Sequence, residues 1–165
     1  MRFAIDGTTG LLGRNLLFEI LKQNLKALDK IEILILGKGA NGLTLEQRMN
    51  AIIYDDGFNY LAQDRNSELF NQIKSRIYYI DFDLTKADLG ISNSGLAILK
   101  NGSIDYYFHN AALLNFGDSE ELANKLNLIN FESSKTLMRL IKELRVKEFV
   151  YTSTAYHAGS TVYEV

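Results

Sequence analysis

The sequence predicts a doubly wound α/β fold with a parallel sheet. Three observations predict it: five short runs rich in Ile, Val, Phe and Tyr, amphipathic stretches of helical period between them, and a glycine-spaced turn joining the first run to the first helix. The runs are Arg2 to Ile5, Ile31 to Leu36, Arg76 to Ile80, Ile104 to Phe108 and Glu148 to Thr152. Their near-continuous apolar character is that of strands buried on both faces. Between the first two, Leu12, Leu16, Leu17, Ile20 and Leu21 recur every three or four residues and define one helix face. Thr44, followed three residues later by Gln47, is a capping-box start for a second helix carrying Met49, Ile52 and Ile53. Ser67 and Ser92 are expected as further N-caps. A long pattern from about Glu120 to Leu144, through Leu122, Leu126, Ile129, Leu137, Leu140 and Ile141, leads into the fifth strand. Strands alternating with helices imply right-handed crossovers, with the ligand at the carboxyl ends of the strands.

Composition narrows the function classes. At 165 residues and 47% hydrophobic the chain suffices for one domain without metal or disulfide support. It has no Cys, which excludes thiol nucleophiles, Cys-ligated metals and disulfide scaffolds. Eighteen basic against 20 acidic side chains, with no Lys/Arg cluster, lack the electrostatic footprint of a nucleic-acid binder. Met1-Arg2 runs straight into Phe3-Ala4-Ile5, and no apolar stretch approaches the roughly 20 residues of a membrane span. A soluble cytoplasmic protein is therefore expected. His109 and His157 have no carboxylate cluster beside them, and no metal site is expected.

The strongest local signal is Asp6-Gly7-Thr8-Thr9-Gly10-Leu11-Leu12-Gly13, between the first strand and the first helix. A dinucleotide-binding turn needs a positive φ, a backbone that approaches a pyrophosphate, and close packing of helix on strand, and glycine serves all three. The helix N-terminus then presents N–H groups and its dipole to the phosphates. The alternative is a plain tight turn.

The three-residue spacing of Gly7, Gly10 and Gly13 resembles that of the extended short-chain dehydrogenases/reductases, and the likeness continues along the chain. Ile35-Leu36-Gly37-Lys38, then Asn41-Gly42-Leu43-Thr44 and Arg48, resemble the second-strand region of thioester reductase and fatty acyl-CoA reductase domains, the male sterility group. Asp83-Leu84-Thr85 with Leu89-Gly90-Ile91-Ser92, then His109-Asn110-Ala111-Ala112, Asn130, and Ser153-Thr154-Ala155-Tyr156 resemble that group's later signatures in order. The resemblance implies a Rossmann-type NAD(P)-binding fold.

It also implies roles. The residue ending the second strand selects the cofactor: an acid suits the ribose of NAD and a cation the 2′-phosphate of NADP. Lys38, with no acid beside it in the sequence, implies NADPH, with Arg48 as a second phosphate contact and Arg14 within reach. Solvated surface charges are the alternative for Lys38 and Arg48. Asp83 would accept from the adenine amino group, with Leu84 against the ring; a strand-terminating Asx turn is the alternative. His109 reads as a satisfied structural side chain, while Asn110, Ala111 and Ala112 bring backbone against the cofactor. Asn130 would hold its helix and a water near the site, or be an ordinary helix Asn. Thr154, beside Ser153, matches the catalytic Ser/Thr that donates to the substrate carbonyl as hydride arrives; otherwise its hydroxyl caps the strand.

Two features depart from the group. Asp6 stands where Thr is usual, and a carboxylate there repels a pyrophosphate unless backbone N–H groups hold it, so weaker affinity is expected. The Tyr-x-x-x-Lys that supplies the proton is absent: no Tyr is followed by Lys four residues later, and no Lys follows Lys147. The chain thus reads as the front, nucleotide-binding portion of a larger reductase, its sheet truncated after the fifth strand. The expected function is NADPH-dependent reduction of an acyl thioester, on CoA or an acyl carrier protein, to aldehyde or alcohol. The alternatives are a sugar-nucleotide epimerase or dehydratase of the same fold, and a non-catalytic NADP-sensing or scaffold protein.

Overall fold

Alternating side chains of the strands enter two separate cores, which is why their sequences are apolar throughout. A computed structural model describes residues 1–114, 117 and 119–153. In it β1 (Arg2–Asp6), β2 (Glu32–Gly37), β3 (Ile77–Asp81), β4 (Tyr106–His109) and β5 (Glu148–Tyr151) form a parallel sheet in the order β3-β2-β1-β4-β5. Phe3, Ile5, Ile33 and Ile35 face one core, and Ala4, Leu34, Leu36, Ile80 and Tyr107 face the other. The strands lie within two residues of the expected runs. Order reverses between β1 and β4, and that switch point is where a doubly wound sheet opens a ligand crevice.

Helix α1 (Leu11–Asn24) packs Leu17, Phe18, Ile20 and Leu21 on the first face. Each such side chain, fully buried, contributes about 1.5 to 3 kcal/mol. Leu12, expected on this face, is 56% exposed instead, and the first turn of α1 makes its close contact through Gly13, on the Gly7–Thr8 backbone. Helix α2 (Leu45–Ile52) opens with the expected capping box: Thr44 Oγ1 accepts from Gln47 N at 3.1 Å, and Gln47 Oε1 from Thr44 N at 2.9 Å. A π-helical turn (Ile53–Gly57), a short α3 (Phe58–Leu61) and α4 (Ser67–Lys74) complete the layer on this face. The N-cap of α4 is Asn66, whose Oδ1 accepts from Leu69 N at 2.7 Å, and Ser67, expected there, is the first helical residue.

The second face is covered by α5 (Asn93–Lys100), capped by Ser92 as expected, and by the long helical segment before β5. That segment is not one regular helix: α6 (Glu120–Leu126) and α7 (Ser133–Glu143) flank a π-helical turn, Asn127–Glu132. The hydroxyls of Ser133 and Ser134 donate to the carbonyls of Ile129 and Asn130, which draws backbone acceptors away from the regular ladder. The wider turn shifts the helical phase. Leu137 and Ile141 of α7 are buried, whereas α6 buries no residue, although Leu122 and Leu126 belong to the same sequence pattern.

At the opposite end of the sheet, a buried cation closes the fold. The Arg2 guanidinium donates to the carbonyls of Ile98, Leu99 and Gly102 at 2.6, 3.2 and 3.2 Å and to Glu32 at 3.0 Å. It thereby satisfies the C-terminal carbonyls of α5.

Candidate nucleotide-binding site

The glycine-rich loop lies at the switch point, and its three glycines meet different constraints. Gly7 has φ +67°, and a Cβ there would stand 2.8 Å from Ala111 N and Asn110 C. A Cβ at Gly13 would stand 2.7 Å from the Gly7 carbonyl carbon and overlap its oxygen. These two glycines serve packing: Gly7 admits the loop after β4, and Gly13 admits α1. Gly10 is different. It is extended, its nearest neighbour to a Cβ is Gly7 O at 3.3 Å, and it is exposed, so its missing side chain leaves open space above the loop.

That space lies at the N-terminus of α1. Helix α1 begins at Gly10 with no side-chain cap and no acid in its first turn, so its N-terminal dipole is not countered locally. Leu11 and Leu12 are exposed beside it. Thr8 is buried, with its hydroxyl on Met49 Sδ at 3.4 Å, so its side chain serves the core and only its backbone could serve a ligand. Thr9 O accepts from Arg14 Nη2 at 3.0 Å. Arg14, expected within reach of a 2′-phosphate, is instead paired with Asp56 of the π-helical turn at 2.7 Å. Its Nε is buried without a partner among the described residues.

Asp6 is the feature whose surroundings the sequence concealed. It is fully buried, and a buried carboxylate without partners costs about several kcal/mol. Four donors converge on it. Asn110 N and Ala111 N each donate to Oδ1 at 2.7 Å, while His109 Nδ1 and Tyr107 Oη reach Oδ2 at 2.6 and 3.2 Å. Burial, and the carboxylate beside it, push the Tyr107 hydroxyl well above its ordinary range, so it remains a donor. The carboxylate is therefore turned toward β4 and held by two backbone N–H groups and two side chains, the arrangement that the sequence reading required if a pyrophosphate is to be tolerated nearby. His109 is the satisfied structural side chain expected of it. A buried acid at a strand end and one His in the neighbouring strand were the available signal, but only the parallel register of β1 and β4 brings them together.

At the end of β2, Lys38 and Arg48 come together: Arg48 Nη1 donates to Lys38 O at 2.8 Å. An acid nevertheless stands beside Lys38, contrary to the reading of its sequence neighbours, since β3 delivers Asp83 Oδ2 to 3.0 Å from Lys38 Nζ. Asp83 also forms the Asx turn, accepting from Thr85 N and Oγ1 at 3.0 and 2.8 Å. Partial burial would raise its pKa, but the Thr85 donors and the Lys38 ammonium outweigh that and hold the carboxyl below the usual range. Leu84 is half-buried beside it.

On the other side of the switch point, Asn130 Oδ1 accepts from Leu113 N at 2.8 Å, and its Nδ2 donates to Leu113 O at 3.0 Å. Asn130 thus ties the π-helical turn to the segment after β4, just beyond Ala111 and Ala112. Thr152 Oγ1 donates to Asn110 Oδ1 at 2.7 Å and extends the polar chain to the end of β5. Ser153 follows, exposed, while Thr154 lies outside the described residues.

Comparison with known proteins agrees with this arrangement. The profile of the male sterility protein family matches residues 5–165. Fatty acyl-CoA reductase 1 of Rattus norvegicus is 30% identical over 152 residues, covering 92% of this chain, and that of Mus musculus is 29% identical over the same span. The chain spans 27% of the length of each. Among solved structures, a thiolation-reductase di-domain from an archaeal non-ribosomal peptide synthetase superposes with a TM-score of 0.68 at 19% identity, over 96% of this chain and 37% of that one. The reductase domain of a non-ribosomal peptide synthetase from Mycobacterium tuberculosis gives 0.65 at 23%, over 96% and 34%. A UDP-glucose-4-epimerase from Stenotrophomonas maltophila, with bound NAD, gives 0.64 at 16%, over 99% and 40%. At such identities the structures show the shared fold; the family match, spanning nearly the whole chain and containing every segment of the crevice, shows that the chain belongs to the male sterility protein family.

Proposed function

We propose that this chain is the nucleotide-binding portion of an NADPH-dependent reductase acting on acyl thioesters carried by CoA or an acyl carrier protein. The observation that carries the nucleotide reading is the glycine loop at the switch point, with open space at Gly10 and an uncapped α1 behind it. Gly10, Leu11 and Leu12 would offer backbone to the pyrophosphate, and Asn110 to Ala112 would line the opposite wall. Lys38 and Arg48 would hold the 2′-phosphate by charge-assisted hydrogen bonds. Bound NADPH supplies the hydride. The thioester reading is supported by the family match and by the fatty acyl-CoA reductase relatives. On that reading Thr154 donates to the carbonyl oxygen where charge develops.

Titration with both cofactors tests the first part. A preference for NADPH over NADH of about tenfold, equivalent to about 1.4 kcal/mol, is expected. Substituting Lys38 and Arg48 together by Ala should abolish that preference and leave NADH affinity nearly unchanged. Equal loss for both cofactors would show that the two residues support the fold. For the substrate, NADPH oxidation by the natural protein should require an acyl-CoA or acyl-phosphopantetheine thioester, and Thr154→Ala should lower its rate by about 100-fold. Turnover of a nucleotide sugar instead would replace this reading with that of an epimerase or dehydratase.

A further inference from the structure

Asp6, the last residue of β1, is the only carboxylate among the described residues that is fully buried, and its hydrogen bonds cross the switch point to β4. Its Oδ1 holds two successive backbone N–H groups, of Asn110 and Ala111. Those same two residues are the ones a Cβ at Gly7 would strike. The carboxylate therefore draws the segment after β4 against the glycine loop, and the missing side chain of Gly7 allows the approach. His109 and Tyr107 hold Oδ2, fixing the carboxylate's rotation. Asn110 Nδ2 donates back to Asp6 O at 3.3 Å, and Asn110 Oδ1 accepts from Thr152. One lateral chain of hydrogen bonds thus links the ends of β1, β4 and β5.

A dinucleotide in a doubly wound sheet crosses the switch point, with one nucleoside over each half. The adenine side here is the side of Lys38 and Asp83, over β2 and β3. We propose, on the basis of the nucleotide-binding reading above, that Asp6 is a positioning residue. It fixes the gap between the glycine loop and Asn110–Ala111 before ligand arrives, and so governs binding of the nicotinamide half and leaves the adenine half largely untouched. The advantage is preorganisation: wall and loop need not be ordered at the moment of binding.

Calorimetric titration separates the halves, using NADPH and NADH as whole dinucleotides and 2′,5′-ADP and ADP as adenine-half probes. Asp6→Ala should weaken the preferred dinucleotide by about tenfold or more and its adenine-half probe by less than about threefold. Asp6→Asn should stay within about threefold of wild type for both, because its amide oxygen still accepts from the two N–H groups. Asp6→Val, which carries no acceptor and fills more of the buried space, should behave as Asp6→Ala and serves if that variant does not fold. Hydrogen exchange adds a reading independent of any variant: the Asn110 and Ala111 amides should be protected in the ligand-free chain. Rapid exchange at both overturns the proposal. So does equal loss of dinucleotide and half probe, or an Asp6→Ala variant that binds the dinucleotide as wild type does. If the wild-type chain binds no probe at all, the nucleotide reading fails, and this proposal with it.

Discussion

The two halves of the sheet differ in how completely they are enclosed. On one side of the switch point, β1 is buried at every residue and β2 at its four central ones, between α1 to α4 on one face and α5 on the other. On the other side, β5 exposes Val150 at 43% and Tyr151 at 49%, α6 buries nothing, and Leu128, Phe131 and Met138 are exposed on the helical segment. The first half is held by its own side chains. Among the described residues, the second is covered by α7 and tied by lateral hydrogen bonds from Asp6 and Asn110. Strength of packing and placement of polar anchors are therefore separate properties here: the polar chain reaches furthest where the hydrophobic enclosure is weakest.

Substitutions on the two sides should make that contrast measurable. Ile35→Ala, at a fully buried position of β2, should destabilise by about 3 kcal/mol in denaturant unfolding, whereas Val150→Ala on β5 should cost no more than about 0.5 kcal/mol. Comparable costs would mean that β5 is as well packed as β2. Gly13→Val should also act through the fold, by about 3 kcal/mol, because its side chain would meet the Gly7 backbone. Arg2→Met should cost about 2 kcal/mol by stranding the carbonyls that end α5, a loss belonging to the base of the sheet and to neither half of the crevice.

The smallest effect is on pH dependence. Asp105, just before β4, lies below the usual carboxylate range because Lys147 and the Arg2 backbone N–H donate to it. A depressed carboxyl binds fewer protons folded than unfolded, so its contribution is present above pH of about 4 and is lost as pH falls through the folded value. Asp105→Asn should therefore flatten slightly the acid limb of the stability curve. Asp83→Asn should do the same from the β2–β3 side, since its depressed pKa has the same sign.

The sheet was legible because its signals are local and periodic: strands within two residues, the Thr44 box and the Ser92 cap. The π-helical turn at Asn127–Glu132 was not, since it preserves an apolar pattern while rotating it, and the hydroxyls that favour it look ordinary in sequence. The glycine loop was legible from spacing, and Lys38 and Arg48 were singled out by the family resemblance. Their counter-ions were not. Asp83 reaches Lys38 from 45 residues away, Asp56 reaches Arg14 from 42, and His109 reaches Asp6 from 103, contacts that only the tertiary fold brings about. Asp6 thus looked unfavourable for a phosphate, whereas its donors turn it inward.

Gly10 tests most directly whether the loop at the switch point receives a dinucleotide, because a Cβ there meets only Gly7 O, at 3.3 Å, a far milder contact than those at Gly7 and Gly13. NADPH should bind the wild-type chain, and Gly10→Val should weaken that binding by about tenfold or more with a melting temperature close to wild type. A folded Gly10→Val variant that binds NADPH as tightly as wild type would contradict the account.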